Sequence, residues 1–140
     1  MSEQENVRLV EAAYAAFQRG DIPGVLANFT EDADWETPGT PEAIPHAGRK
    51  RGHEEMKQFF STLAATENIT HFEPREFIAK DDKVVVLGNY KGTVRGTGRN
   101  YDIDWLHVFT ARDGKLSGFR EFLDTAALGD AHRNAAAQTA

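Results

Sequence analysis

The stretch that decides the fold is NYDIDWLHVFTARDGKLSGFREFL, Asn100 to Leu123. Apolar and polar residues alternate along both halves, which is the two-residue period of a half-buried strand. The halves are separated by Asp113-Gly114, a strong hairpin signal. Read as a three-residue loop, Arg112-Asp113-Gly114 with Gly114 left-handed, the turn pairs Ala111 with Lys115, His107 with Phe119 and Trp105 with Glu121. Trp105, His107, Phe119 and Glu121 then share one face. A two-residue Asp-Gly turn shifts the register by one and puts His107 and Glu121 on opposite faces. The placement of the two polar residues therefore hangs on that loop.

Working outward, strands are expected at Ile69–Lys80, Lys83–Arg95, Asn100–Ala111 and Lys115–Leu123, with breaks at Asp81-Asp82 and Gly96-Thr97-Gly98. Connections this short impose antiparallel hairpins. Upstream the period is helical. Ser2 and Glu5 have capping-box spacing, Val7, Val10, Tyr14 and Phe17 follow on one stripe, and Gly20 ends the helix. Asp21 and Pro23 start a second short helix carrying Val25, Leu26 and Phe29, and a third is expected over His53 to Ala65. Asp34-Trp35-Glu36-Thr37 reads as a short strand, and the stretch through Pro38, Pro41, Pro45 and Gly48 as an irregular loop. Helices first and long strands after define an α+β layout, with helices on one face of a curved sheet. Residues 1–129 form one domain in this reading and 130–140 a C-terminal tail.

Composition narrows the function. The chain has 140 residues, 40% of them apolar, with nine Phe and two Trp, enough for a real core. There is no cysteine, so disulfides, thiolate metal sites and cysteine nucleophiles are excluded. A net charge of −6 has the wrong sign for general nucleic-acid binding. No apolar run approaches the roughly 18 residues of a membrane span. Nothing at the N-terminus resembles a secretory signal, so a cytoplasmic location is expected, with neither nucleic acid nor membrane as partner. No phosphate loop, nucleotide fingerprint or serine elbow is present, and no metal-ligand spacing stands out.

The motifs Tyr14-x-x-Phe17-x-x-Gly20-Asp21, Trp35-x-x-Pro38-Gly39, Arg51-Gly52-His53-Glu54, Trp105-x-His107-Val108-Phe109 and Phe119-Arg120-Glu121 occur in an order that resembles the SnoaL-like polyketide cyclase and ketosteroid-isomerase-like family, within the nuclear-transport-factor-like cone fold. The resemblance spans roughly residues 5 to 128. It implies a cone-shaped barrel of three N-terminal helices packed on a strongly curved, mainly antiparallel mixed sheet, a deep apolar pocket and frequent dimers. In the cyclases the acid–base Asp falls where Glu121 stands and a His where His107 stands, which favours the same-face register. In the isomerases the protonated Asp that stabilises the enolate oxygen aligns with His107, and the oxyanion Tyr comes from the region of Tyr14. Their base has no counterpart in the Pro-rich loop. Where the related epoxide hydrolases carry Arg-x-Asp, this chain has Asn89-x-Lys91, so that water-activating triad is missing.

The expectation is an enzyme without a cofactor or metal, acting on a small hydrophobic carbonyl or hydroxyl compound by isomerisation or cyclisation. Glu121 moves the proton, His107 and Tyr14 donate to the developing oxyanion, and Phe17, Trp35, Phe59, Leu63, Trp105 and Phe119 line the pocket. The alternative is a non-catalytic carrier using the same cone. A purely structural reading also stands: His107 and Glu121 as a satisfied polar pair, Tyr14 as core, the two Trp as wall. His46 and His53, flanking Arg49-Lys50-Arg51, read as solvated loop, and His71 and His132 as surface.

Overall fold

The computed structural model describes residues 2–133. Helix α1 (Glu3–Gln18) opens on the capping box: Ser2 Oγ accepts from the Glu5 amide at 3.0 Å, and Glu5 Oε1 accepts from the Ser2 amide at 3.2 Å. It ends at Gly20, whose φ of 75° suits glycine. Asp21 caps α2 (Ile22–Ala27) by accepting from the Gly24 amide. Strand β1 (Phe29–Thr37), strand β2 (Gly48–Arg51) and α3 (Gly52–Thr66) follow. Four long or medium strands complete the sheet: β3 (Glu67–Lys80), β4 (Lys83–Val94), β5 (Asn100–Arg112) and β6 (Lys115–Leu123). A last helix, α4 (Thr125–His132), is capped by Asp124.

The six strands form one mixed sheet in the order β2-β1-β6-β5-β4-β3. Every neighbouring pair is antiparallel except β1 with β6, which run parallel. Register breaks in β3, between Ile69 and His71 and between Pro74 and Glu76, let that edge strand bend, and Pro74 is tolerated there because an edge leaves amides unpaired. Helices α1 and α3 pack on the sheet's inner face, burying Val10, Ala13 and Tyr14 from one and Met56, Phe59 and Phe60 from the other. This is the α+β cone of helices on a bent sheet expected from the sequence.

Three local expectations are corrected. Arg49-Lys50-Arg51 is not loop but most of β2, an edge strand pairing Lys50 with Trp35. Helix α4 runs three residues past Gly129 to His132, so the domain boundary placed there falls inside a helix; the tail from 134 onward lies outside the described residues. The β5–β6 turn has two residues, Asp113 and Gly114 at φ 51° and 84°, with Arg112 pairing Lys115. Alone it would place His107 and Glu121 on opposite faces. A bulge restores the parity: Ala111 pairs with Leu116 but Thr110 with Gly118, leaving Ser117 as the extra residue. His107 consequently pairs with Glu121, and Trp105 with Leu123 rather than Glu121.

Candidate active site

The inner face of β5 carries Trp105, His107 and Phe109, and the inner face of β6 carries Phe119 and Glu121. His107 is 3% exposed and forms the middle of a chain. Its Nε2 lies 2.8 Å from Glu121 Oε2, and its Nδ1 lies 2.8 Å from the hydroxyl of Tyr14 on α1. An ionised carboxylate only accepts, so with Glu121 charged the ring carries its proton on Nε2, and Nδ1 accepts from Tyr14. The imidazole is held flat against the Trp105 indole, with centroids 3.9 Å apart and planes 12° from parallel. Trp105 itself stacks on Phe72 at 5.1 Å.

Burial sets the protonation of this chain. Desolvation lowers the His107 pKa, opposed by its hydrogen bond to Glu121 and by that carboxylate's charge. The ring is therefore neutral at pH 7. Tyr14 is pushed well above its ordinary value, first by desolvation and then by the Glu121 charge, so its hydroxyl keeps its proton. Glu121 retains 14% side-chain exposure, more than His107 at 4%, and is the open end of the chain.

Side chains from helices and sheet leave a cavity of about 70 Å³ beside this chain. Tyr14, His107 and Glu121 all line it, and so do Phe17, Trp35, Phe59, Leu63, Trp105 and Phe119. Trp35 stacks on Phe119 with centroids 3.9 Å apart. The nine residues singled out from sequence are thus brought to one place. Phe72, Tyr90, Phe109 and His46 line it too and were missed. Phe72, Tyr90 and Phe109 are ordinary inward residues of predicted strands, which register alone could have indicated; His46 carried no signal, since the loop after β1 has no periodicity.

Two histidines read as solvent-facing have largely covered side chains. His46 is 4% exposed, and the His132 side chain 5%. Both approach Glu67, itself 2% exposed at the junction of α3 and β3. His53 is half-buried, with its Nε2 at 3.0 Å from the Phe29 carbonyl. Nonlocal packing overrides the polar character of the loop and the helix end.

A cone of helices on a bent mixed sheet, with a polar chain on the floor of an aromatic cavity, defines a pocket protein of the nuclear-transport-factor-like class. More closely, the chain belongs to the SnoaL-like domain family, whose pattern matches residues 10–119. Among solved structures it is 38% identical to a nuclear-transport-factor-2-like protein from Burkholderia xenovorans, over 95% of this chain and 99% of that one, with a TM-score of 0.86. A similar protein of unknown function from Burkholderia pseudomallei is 31% identical over 94% and 98% of the two chains, TM-score 0.83. TerC, co-crystallised with polyporic acid, is 31% identical over 91% and 97%, TM-score 0.82. No curated protein sequence matches the chain. Among the described residues no helix is long and apolar enough to cross a membrane.

Proposed function

We propose that the chain is an acid–base enzyme that moves a proton on a small hydrophobic carbonyl or hydroxyl compound held in the cavity, by isomerisation or cyclisation. The observation carrying this reading is the hydrogen-bonded chain Tyr14–His107–Glu121, with its carboxylate end on the cavity. Glu121 is the base. The His107 Nε2–H holds one carboxylate oxygen, and the other is left to accept a proton from carbon next to a carbonyl. Trp105 restrains the imidazole plane, so the carboxylate is held in one orientation. Both nitrogens of His107 are engaged at rest, so donation to an oxyanion falls first to Tyr14. A substrate oxygen beside Tyr14 exchanges the bond to Nδ1 for one of its own. None of these steps needs a group other than side chains.

The decisive experiment is hydrogen–deuterium exchange in D2O, followed by NMR, on a panel of cyclic and aryl ketones. Wild-type protein is expected to exchange α-protons of at least one class, and Glu121→Gln to lose that activity. Exchange that survives undiminished in Glu121→Gln overturns the assignment.

A carrier is the second reading. It is favoured by the aromatic lining and by the indole N–H groups of Trp35 and Trp105, both buried without a hydrogen-bond partner. TerC, a relative of similar length, was crystallised with polyporic acid, and that compound is a sensible first ligand here. A carrier needs no base, so ligand affinity in Glu121→Gln would be the only property measured and would be unchanged.

Self-association through the outer face of the sheet belongs to the same proposal. Leu87, Leu106 and Phe122 are consecutive cross-strand partners there, with Leu87 37% and Phe122 44% exposed. With Ile78 they make an apolar stripe that a second copy would cover. Light scattering is expected to give twice the 15.5 kDa chain mass, and Phe122→Glu to give the monomer.

A further inference from the structure

We propose that His46, Glu67 and His132 form a binding site for one divalent first-row transition-metal ion, adjoining the cavity through His46. The site does not depend on the acid–base reading of Glu121. Its three ligand atoms, His46 Nδ1, a Glu67 carboxylate oxygen and His132 Nε2, lie within 4.8 Å of one another. Glu67 Oε2 is the hub, 2.7 Å from His132 Nε2 and 3.5 Å from His46 Nδ1. Nitrogen and oxygen donors bound about 2.0–2.2 Å from one ion lie roughly 3.0–3.5 Å apart. The two separations from Glu67 span that range.

The surroundings are those of a held ion rather than of a surface cluster. Glu67 is 2% exposed, and its ion-pair partners among the described residues are these two histidines, with no lysine or arginine. A buried carboxylate so placed is costly unless a cation or several donors compensate it. Its other oxygen, Oε1, accepts from the Tyr101 hydroxyl at 2.8 Å, which orients the carboxylate and aims Oε2 at the two histidines; an ion there would replace the proton His132 Nε2 shares with Oε2. The Gly92 position has no room for a side chain because the Tyr101 ring end fills it, so this orienting contact is built into the strand pair. His46 supplies the second, independent observation. It is 4% exposed, its ring is set edge-on against Phe59 at 5.4 Å, and its Nδ1 has no hydrogen-bond partner. A structural polar knot requires only His132 and Glu67; an unpartnered buried nitrogen 3.5 Å from the same oxygen is what an ion would use.

The donor set names the ion class. Two imidazoles and one carboxylate, without thiolate, suit zinc, cobalt, iron(II) or manganese over calcium and magnesium. Three protein ligands leave at least one position for water or a substrate atom, the pattern of reactive rather than purely structural sites. The ligands come from the β1–β2 loop, the start of β3 and the end of α4, so an ion would also tie α4 to the sheet.

Titrating chelator-treated full-length protein with Co²⁺ and following visible d–d absorption tests this, with Zn²⁺ calorimetry for stoichiometry. One equivalent is expected to bind with ligand-field bands of a four- or five-coordinate ion. His46→Gln and His132→Gln are each expected to weaken binding at least tenfold, and Tyr101→Phe by about tenfold to hundredfold through loss of ligand orientation. His53→Gln and His71→Gln, outside the site, are expected to bind as wild type. His46→Gln is the discriminating variant because its Nδ1 makes no hydrogen bond to the protein, so the substitution breaks none there. Absence of the bands in wild type, or unchanged affinity in folded His46→Gln and His132→Gln, overturns the proposal and leaves a structural triad. Glu121→Gln, run alongside, is expected to bind the ion normally, so failure of the acid–base reading and failure of this site read out separately.

Discussion

Tyr14 and Glu121 bind opposite nitrogens of the same imidazole, each at 2.8 Å, although one sits on the first helix and the other on the last strand. The relationship couples helix packing to carboxylate position: α1 cannot shift on the sheet without releasing the ring that holds Glu121. It also gives the chain a direction. With Glu121 ionised and both bonds made, each proton is donated toward the carboxylate, from the Tyr14 hydroxyl to Nδ1 and from Nε2 to Oε2.

Glu121→Gln keeps the shape and an oxygen for the Nε2–H to donate to, but removes the titrating group. Turnover is expected to fall by about a hundredfold or more, while unfolding free energy changes by no more than about 1 kcal/mol. Urea denaturation and ketone exchange rates check both halves. A variant that is crippled in both respects would mean that Glu121 holds the fold rather than the reaction.

Tyr14→Phe leaves the His107 Nδ1 buried without a donor. The expected cost is about 1–3 kcal/mol of stability, with a smaller loss of turnover than for Glu121→Gln. Nitrogen NMR of the ring is the sharper readout: wild type should show a single tautomer with the proton on Nε2, and Tyr14→Phe a mixture. An unchanged tautomer would show that the Glu121 bond alone sets it.

The pH dependence follows from the lowered pKa of His107. The unfolded chain takes up its proton near the ordinary value of 6.5, and the folded ring only at lower pH. Stability from this group is fully present above 6.5 and is lost as pH falls through the window between the two values. Unfolding measured at pH 7.5 and pH 5 should therefore show a steeper loss for wild type than for His107→Gln. His46 is shifted in the same direction by desolvation, but it titrates in both proteins and drops out of the comparison.

Much of this site was legible in the sequence because it sits on regular strands. The alternation through Trp105, His107 and Phe109 and through Phe119 and Glu121 assigns faces, and the Asp113-Gly114 turn locates the hairpin. The pairing itself was not legible, since it rests on the bulge at Ser117, which has no signature beyond the neighbouring Gly118. Strand β2 was hidden because Gly48-Arg49-Lys50-Arg51 has no apolar alternation and pairs on one side only. The convergence of His46, Glu67 and His132 is a product of three distant segments, and no spacing along the chain encodes it.

Both tryptophans of the chain line the cavity, so ligand entry should change intrinsic emission. With polyporic acid or a steroid ketone as the probe, wild type is expected to be quenched on titration. Trp35→Phe and Trp105→Phe each leave one reporter, and comparing them tells which wall the ligand approaches. Quenching that is equal in both single variants and persists when the cavity is narrowed by Leu63→Phe would place the ligand elsewhere.

Gly88 stands across the strand pair from Trp105, and a Cβ built there falls inside the van der Waals envelope of the indole and 2.6 Å from the Glu73 carbonyl oxygen. The absence of a side chain on β4 is thus what lets the Trp105 ring lie flat over the sheet, and Trp105 in turn is the plane on which His107 rests. Gly88→Ala must push the ring away, because neither the backbone carbonyl nor a ring packed against Phe72 has a flexible end that could give. The expected destabilisation is about 1–3 kcal/mol, as for overpacking elsewhere. The functional effect should exceed what that loss alone explains, since the imidazole and hence Glu121 lose their backing. Kinetics at a temperature well below the melting transition separate the two: a fall in kcat with unchanged KM is expected in fully folded Gly88→Ala. A variant that melts earlier yet keeps wild-type kcat would show that the stack supports the fold and leaves the carboxylate untouched.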